Sequence, residues 1–200
     1  MQQDDIERFR VISERNFPIL TDLKVLELGP FEGAFTKHIL KYTNNLTVIE
    51  LNRDAAQRLK NNFPTVNVIV DDFNHCLNSV GEFDAVVLYG ILYHSPSPLN
   101  IIEHVVNFIK PKYILLENLL GIDSEDRIIA AYELPNGPGM RYSDYKTSNI
   151  VMSYGQNHLN FAMDSLGYEK IGDFDITSVF DPTPLDRKKR FAYYTTWRIK

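Results

Sequence analysis

The chain has 200 residues, a formal net charge of −5, 44% hydrophobic and 24% charged residues, so one domain with its own core is the expected organisation. The acidic balance argues against a nucleic-acid binder, which needs clustered lysine and arginine to neutralise phosphate. No apolar run reaches the ~20 residues of a membrane helix, the opening MQQDDIERFR is too polar for a secretory signal, and the single Cys76 has no internal disulfide partner; a reducing, cytoplasmic setting is expected.

Residues 4–17 scatter Ile6, Phe9, Val11 and Ile12 among charges, the pattern of an amphipathic N-terminal helix. Short apolar, largely β-branched runs follow at 24–28, 46–50, 66–70, 83–89 and 113–117, with helical patterns at 35–42, 54–62 and 99–109 between them. That alternation predicts an α/β fold whose parallel sheet is covered by helices on both faces. Residues 119–155 then form a connection far longer than α/β units use. It carries Pro135-Asn136-Gly137-Pro138-Gly139 and the aromatics Tyr132, Tyr142 and Tyr145. It reads either as a substrate lid or as a peripheral decoration with a short helix at 124–132. A helix at 156–166 ends at Gly167, and strands at 168–176 and 191–199, joined by a loop containing Pro182 and Pro184, lack a crossover helix and should be antiparallel neighbours.

The chemistry concentrates after the first strand, in Val25-Leu26-Glu27-Leu28-Gly29-Pro30-Phe31-Glu32-Gly33. A strand entering a glycine-containing turn brings backbone close to a ligand at the carboxyl edge of an open α/β sheet. The dinucleotide fingerprint G-x-G-x-x-G is broken by Phe31 and Ala34. Glu50 ends the second run, about 20 residues after Gly29, where a carboxylate can accept hydrogen bonds from both ribose hydroxyls. Asp71-Asp72-Phe73 follows the third run, and either aspartate could be the functional one, the other a turn residue.

Acid-x-Gly-x-x-x-Gly resembles the first motif of class I S-adenosylmethionine-dependent methyltransferases. The resemblance implies a Rossmann-like seven-stranded sheet, five parallel strands plus a C-terminal antiparallel hairpin, and S-adenosylmethionine as cofactor. It places Glu27, Gly29, Gly33, Glu50, Leu51, Asp72, Phe73 and Gly90 at the cofactor, with Glu27 near its methionine end and Asp72 at the adenine. The segment from Phe83 to Leu99 resembles the motif that borders cofactor and acceptor.

A finer resemblance lies in Gly90-Ile91-Leu92-Tyr93-His94 with Pro98-Leu99, in the 115–123 stretch, in Arg141-Tyr142, Met152-Ser153 and Leu166-Gly167-Tyr168, and in Lys189-Arg190-Phe191. These are similar to the tRNA wobble-uridine carboxymethyltransferase family, in which positions matching Tyr93 and Arg190 contact the transferred group. Ahead of the first motif this chain has one short helix and no counterpart of that family's lysine for a carboxylated cofactor, so ordinary S-adenosylmethionine is expected.

His94 follows the fourth strand and could serve as a base if the acceptor must lose a proton; a structural histidine bonded to loop backbone is the alternative. Catalytic candidates are therefore His94, Tyr93 and Arg190. His38, His75, His104 and His158 have no metal-ligand spacing. The acceptor expected first is a small polar metabolite or sugar. The alternatives are a tRNA, met through the basic run Arg187-Lys188-Lys189-Arg190, or a non-catalytic subunit that binds S-adenosylmethionine for a partner protein. The run itself reads first as a solvated hairpin loop.

Overall fold

Short runs with apolar residues on both faces make strands that must be covered on both sides. The first two central strands, β1 (Val25–Leu28) and β2 (Leu46–Glu50), are buried along their whole length. In the computed structural model, which describes residues 3–121, 128–132, 150–175 and 190–200, they are interior strands of a seven-stranded sheet. Its other members are β3 (Asn67–Val70), β4 (Ala85–Leu88), β5 (Tyr113–Gly121), β8 (Tyr168–Asp175) and β9 (Arg190–Ile199), and the spatial order is β3-β2-β1-β4-β5-β9-β8. The strands β1 to β5 are mutually parallel. Strand β9 is antiparallel to both β5 and β8, so β8 again points with the first five. This is the expected fold class: five parallel strands and a C-terminal antiparallel hairpin.

Alternation along the strands sorts side chains into two cores. On one face Leu26, Leu28, Val86, Leu88, Ile114 and Leu116 meet Ile101 and Ile102 of α5 (Pro98–His104) and Leu159 and Met163 of α6 (Gln156–Ser165). On the other, Val25, Val48, Ala85, Val87 and Leu115 meet Ile12 of α1 (Gln3–Asn16), Ile39 of α2 (Thr36–Ile39) and Leu59 of α3 (Arg53–Asn62). The second face is sealed by aromatic rings. Phe35 sits edge-on to Phe9 at 4.8 Å and to Tyr89 at 5.0 Å, and Tyr89 meets Tyr194 at 5.1 Å. These contacts tie the N-terminal helix to the sheet.

Several elements differ from expectation. Strand β3 is an edge strand and is only partly buried. The helix expected at 35–42 keeps one α-helical turn, then tightens into short bonds such as Lys41 N–H to the His38 carbonyl at 3.2 Å. Helix α5 widens into a π-helical turn, Val105–Ile109, closed by the left-handed Lys110. A short helix, α4 (Phe73–Cys76), was not expected.

The long connection contains a second, two-stranded sheet of β6 (Ile128–Tyr132) and β7 (Ile150–Tyr154). A helix over 124–132 is thereby corrected for 128–132, which form a strand because β7 supplies the pairing. Residues 122–127, 133–149 and 176–189 lie outside the described residues. So do the proline-glycine stretch 135–139, Arg141, Tyr142, Tyr145, Pro182, Pro184 and the basic positions 187–189.

One hydrogen bond fastens the edge of the sheet to its middle. The hydroxyl of Tyr168, whose residue is 1% exposed, donates to the Pro111 carbonyl at 2.6 Å. Tyr168→Phe leaves that carbonyl without this donor and is expected to cost about 1–2 kcal/mol. Thermal unfolding should show Tm lower by roughly 2–6 °C; an unchanged Tm would mean the bond contributes nothing.

Candidate active site

Four parallel strands deliver their carboxyl ends to one edge of the sheet in the order β3, β2, β1, β4. Most residues singled out from the sequence fall in or just after those four strands: Asp72 and Phe73 after β3, Glu50 and Leu51 at the end of β2, Glu27 in β1 with the 29–33 turn after it, and Gly90 to His94 after β4; Arg190 is on β9.

The turn after β1 takes its shape from three left-handed residues, Gly29 (φ 63°), Phe31 (φ 52°) and Gly33 (φ 82°). Gly29 donates its N–H to the Ile49 carbonyl at 2.9 Å, and Gly33 donates to Pro30 at 2.9 Å. A Cβ on Gly29 would lie 2.4 Å from Cδ1 of Ile91, and one on Gly33 would lie 2.5 Å from Cε2 of Phe63. Both glycines are thus required twice over, by backbone hand and by contact. Ile91 was missed from the sequence; it folds over Gly29 and brings the segment after β4 against the turn after β1.

Two carboxylates lie beneath the turn, each on a residue 3% exposed. Glu27 Oε2 accepts from the Thr36 hydroxyl at 2.7 Å. Burial pushes the Glu27 carboxyl up to about 7, against the Thr36 hydrogen bond and with the nearby Glu50 charge adding to the rise. Glu50 accepts from Phe31 N–H at 2.8 Å through Oε2 and from Asn52 N–H at 2.8 Å through Oε1. Burial raises Glu50 as well, and the N–H groups of Asn52, Phe31 and Leu51 oppose it. Asn52 in turn caps α3, its side chain accepting from Ala55 N–H at 2.9 Å. Neither Thr36 nor Asn52 stands out in the sequence, since their roles depend on where two carboxylates end up.

The two aspartates after β3 separate by structure. Asp72 is half-buried and caps α4, its Oδ1 accepting from Asn74 N–H at 2.9 Å; Asp71 is exposed and accepts from Asp72 N–H at 2.7 Å. Phe73 packs against the first core.

After β4, the left-handed Gly90 (φ 72°) leads into a 3-10 turn, Leu92–His94. His94 is half-buried and its N–H donates to the Ile91 carbonyl at 3.1 Å. Tyr93 is in the same turn, but its side chain lies outside the described residues. Strand β7 packs against this turn and against β5, which puts the described part of the long connection beside His94. Arg190 opens β9 opposite Gly121, at the carboxyl end of β5 and so on the same sheet edge; its side chain also lies outside the described residues. Further along that edge the buried Glu117 accepts from the Tyr194 hydroxyl at 2.9 Å. Among the described residues no group of histidine, cysteine and carboxylates could hold a metal ion, and no helix is long and apolar enough to cross a membrane.

The methyltransferase domain family matches residues 2–169. This chain belongs to that family. The methyltransferase domain has the fold of the N-terminal domain of EvdMO1, solved in the presence of SAH and D-fucose: TM-score 0.70 at 20% identity, over 100% of this chain and 84% of that one. It is also similar in fold to coclaurine N-methyltransferase bound to N-methylheliamine and SAH, with TM-score 0.68 at 12% identity over 97% of this chain and 72% of that one. In sequence it is similar to the ribosomal RNA small subunit methyltransferase A of Chlorobium chlorochromatii, 32% identical over 88 residues, which is 42% of this chain and 34% of the relative. The aligned stretches span about a fifth to a third of the length of the first such curated relatives.

The methyltransferase's buried acid gives a stability signature. Glu27 titrates higher in the folded chain, about 7 against 4.5, so its protonated form adds stability that is complete below about 4.5 and is lost as pH rises through about 7. Glu27→Gln keeps an oxygen for the Thr36 hydroxyl and removes the titration. Between about pH 5 and about pH 8, wild type should lose about 2–3 kcal/mol relative to this variant. Urea unfolding of both proteins across that range is the check, and parallel curves would show that Glu27 does not titrate there.

Proposed function

We propose that this chain transfers a methyl group from S-adenosylmethionine to a small polar acceptor. The observation that carries the reading is the pair of buried carboxylates, Glu27 and Glu50, beneath the left-handed turn between β1 and α2. A dinucleotide would bring its pyrophosphate to such a turn, and here phosphate would face two buried carboxyl groups that repel it when ionised, Glu27 gaining its charge as pH rises through about 7. A nucleoside bearing a cationic sulfonium and an ammonium group matches the same charges. Glu50 has acceptor capacity beyond the backbone N–H groups it already holds, so ribose hydroxyls fit there. Gly29 and Gly33 let the turn close against Ile91 and Phe63, which holds its backbone at the sheet edge.

Within this reading Glu50 and Leu51 hold the ribose, Glu27, Gly29 and Gly33 the methionine end, and Asp72 and Phe73 the adenine, with Gly90 clearing backbone beside the cofactor. Neighbours of the same fold were solved with SAH, which supports this choice. The cofactor supplies an electrophilic methyl group on sulfur. The chain's own work is then to align an acceptor with it, since a large part of such a rate comes from placement. The acceptor enters above Tyr93 and His94, beneath the 119–155 connection acting as a lid. His94 takes the acceptor's proton where one must leave, and Tyr93 and Arg190 contact the acceptor.

A small polar metabolite or sugar is favoured by the net charge of −5 and by the D-fucose and N-methylheliamine in the neighbouring structures. An RNA acceptor, as in the wobble-uridine family this chain resembles, is the second reading. It is favoured by the ribosomal RNA methyltransferase relatives.

Calorimetry on purified protein stripped of carried-over ligand should detect S-adenosylmethionine and its demethylated product. Glu50→Ala should weaken both about tenfold to a hundredfold, and Asp71→Ala should leave both unchanged. Equal affinities for wild type and Glu50→Ala would place the ribose elsewhere. Methyl-labelled cofactor offered with a metabolite extract and with total RNA separates the acceptor readings: label in RNA, lost when residues 187–190 are neutralised, would reverse the ranking. With the acceptor in hand, Arg190→Ala should raise its KM and spare cofactor affinity.

A further inference from the structure

Tyr89 is a buried aromatic residue whose ring the fold uses and whose hydroxyl it does not. The ring stacks on Phe17 at 5.7 Å and sits edge-on to Phe35 at 5.0 Å and to Tyr194 at 5.1 Å. The residue is 5% exposed, yet among the described residues its hydroxyl completes no hydrogen bond. Phenylalanine would fill the same place without the cost of burying an unpartnered polar group. Nδ2 of Asn16, at the end of α1, is a second buried polar atom that completes no hydrogen bond. The two lie near one another and near Glu117: burial holds the Tyr89 hydroxyl well above its usual range, the Glu117 charge adds to the rise, and the Asn16 amide opposes it. Register brings these groups to the acceptor side. Leu88 pairs with Leu116, so Tyr89 and Glu117 each follow that pair by one residue, where β4 ends. Gly90 comes next and leads into the turn of Tyr93 and His94, which packs against β5.

We propose that Asn16, Tyr89 and Glu117 form a hydroxyl subsite that anchors a neutral, polyhydroxylated acceptor of the sugar class. The inference rests on the methyltransferase reading and narrows its acceptor. An amide N–H only donates, a carboxylate only accepts, and a phenol does both. A hydroxyl group, donor and acceptor together, complements the whole set. An ammonium group has only hydrogens to offer and leaves the Asn16 N–H unmatched. A phosphate or carboxylate meets the Glu117 charge. The anchored hydroxyl orients the acceptor and is separate from the choice of the atom methylated.

Two variants of the full chain, Tyr89→Phe and Asn16→Ala, test this with methyl-labelled S-adenosylmethionine. The acceptor probe is a metabolite extract separated by ion exchange into neutral, cationic and anionic fractions. Wild type should label the neutral fraction. Tyr89→Phe should keep or raise the ligand-free Tm and keep its calorimetric affinity for S-adenosylhomocysteine. The amount of neutral fraction needed for half-maximal labelling should rise about tenfold in each variant. An unchanged amount in either variant would overturn the subsite and leave a buried water as the partner of those atoms. A lowered Tm in Tyr89→Phe would also overturn it, by making the hydroxyl structural. Label confined to the charged fractions, or found in none, would overturn the subsite and leave cofactor binding standing. If wild type fails to bind S-adenosylmethionine, the methyltransferase reading itself fails and the subsite falls with it.

Discussion

The hydrogen bond from Phe31 N–H to Glu50 fixes the relation between the first two strands at the edge where the chemistry is proposed. Register pairs Leu28 with Ile49, so Glu50 ends β2 one residue past the last pair, with its carboxylate facing the turn that β1 enters. One oxygen then holds the turn and the other holds the start of the segment leading into α3. The rest of the site inherits its position from that carboxylate. Gly29 bonds back to β2 through Ile49, Gly33 lets the turn settle against Phe63 and Leu59 at α3, and Thr36 can then reach Glu27. Desolvation of both acids is the cost, and it is borne at the sheet edge where a cationic ligand could offset it.

Much of this architecture is legible from the chain itself because the parallel strands are buried on both faces. The runs at 24–28, 46–50 and 83–89 contain β1, β2 and β4 because apolar residues on both faces leave few alternatives to an interior strand. Where burial or pairing is decided by distant residues, legibility ends. Strand β5 runs to Gly121, beyond the expected Glu117, because β9 pairs with it as far as Arg190. The stretch Ile-Ile-Ala-Ala-Tyr at 128–132 suits a helix as well as a strand, and only its ladder with 150–154 decides between them.

The same division holds in the site. The positions of Glu50 at the end of β2 and of Gly29 and Gly33 in the turn after β1 are readable, since each borders a short apolar run that forms a strand. The partners of those acids are not. Thr36, Asn52 and Ile91 acquire roles only through position: Thr36 bonds Glu27 at 2.7 Å, Asn52 N–H bonds Glu50 at 2.8 Å, and Ile91 fills the space a Cβ on Gly29 would need. The break in the glycine pattern at Phe31 is visible at once, but what it means is a backbone angle that no periodicity carries.

The two halves of the proposed site are built from different material. The nucleoside side rests on strand ends whose polar groups are tied by backbone hydrogen bonds and whose glycines are fixed by contact. A ligand there meets a surface already formed, and little ordering remains to be done on binding. The acceptor side is assembled from the turn after β4, the start of β9 and a long connection of which β7 reaches that turn. Loops carried on a rigid scaffold are where binding specificity usually varies. On the proposed reading, one sheet edge can keep a nucleoside while the loops that would meet an acceptor vary.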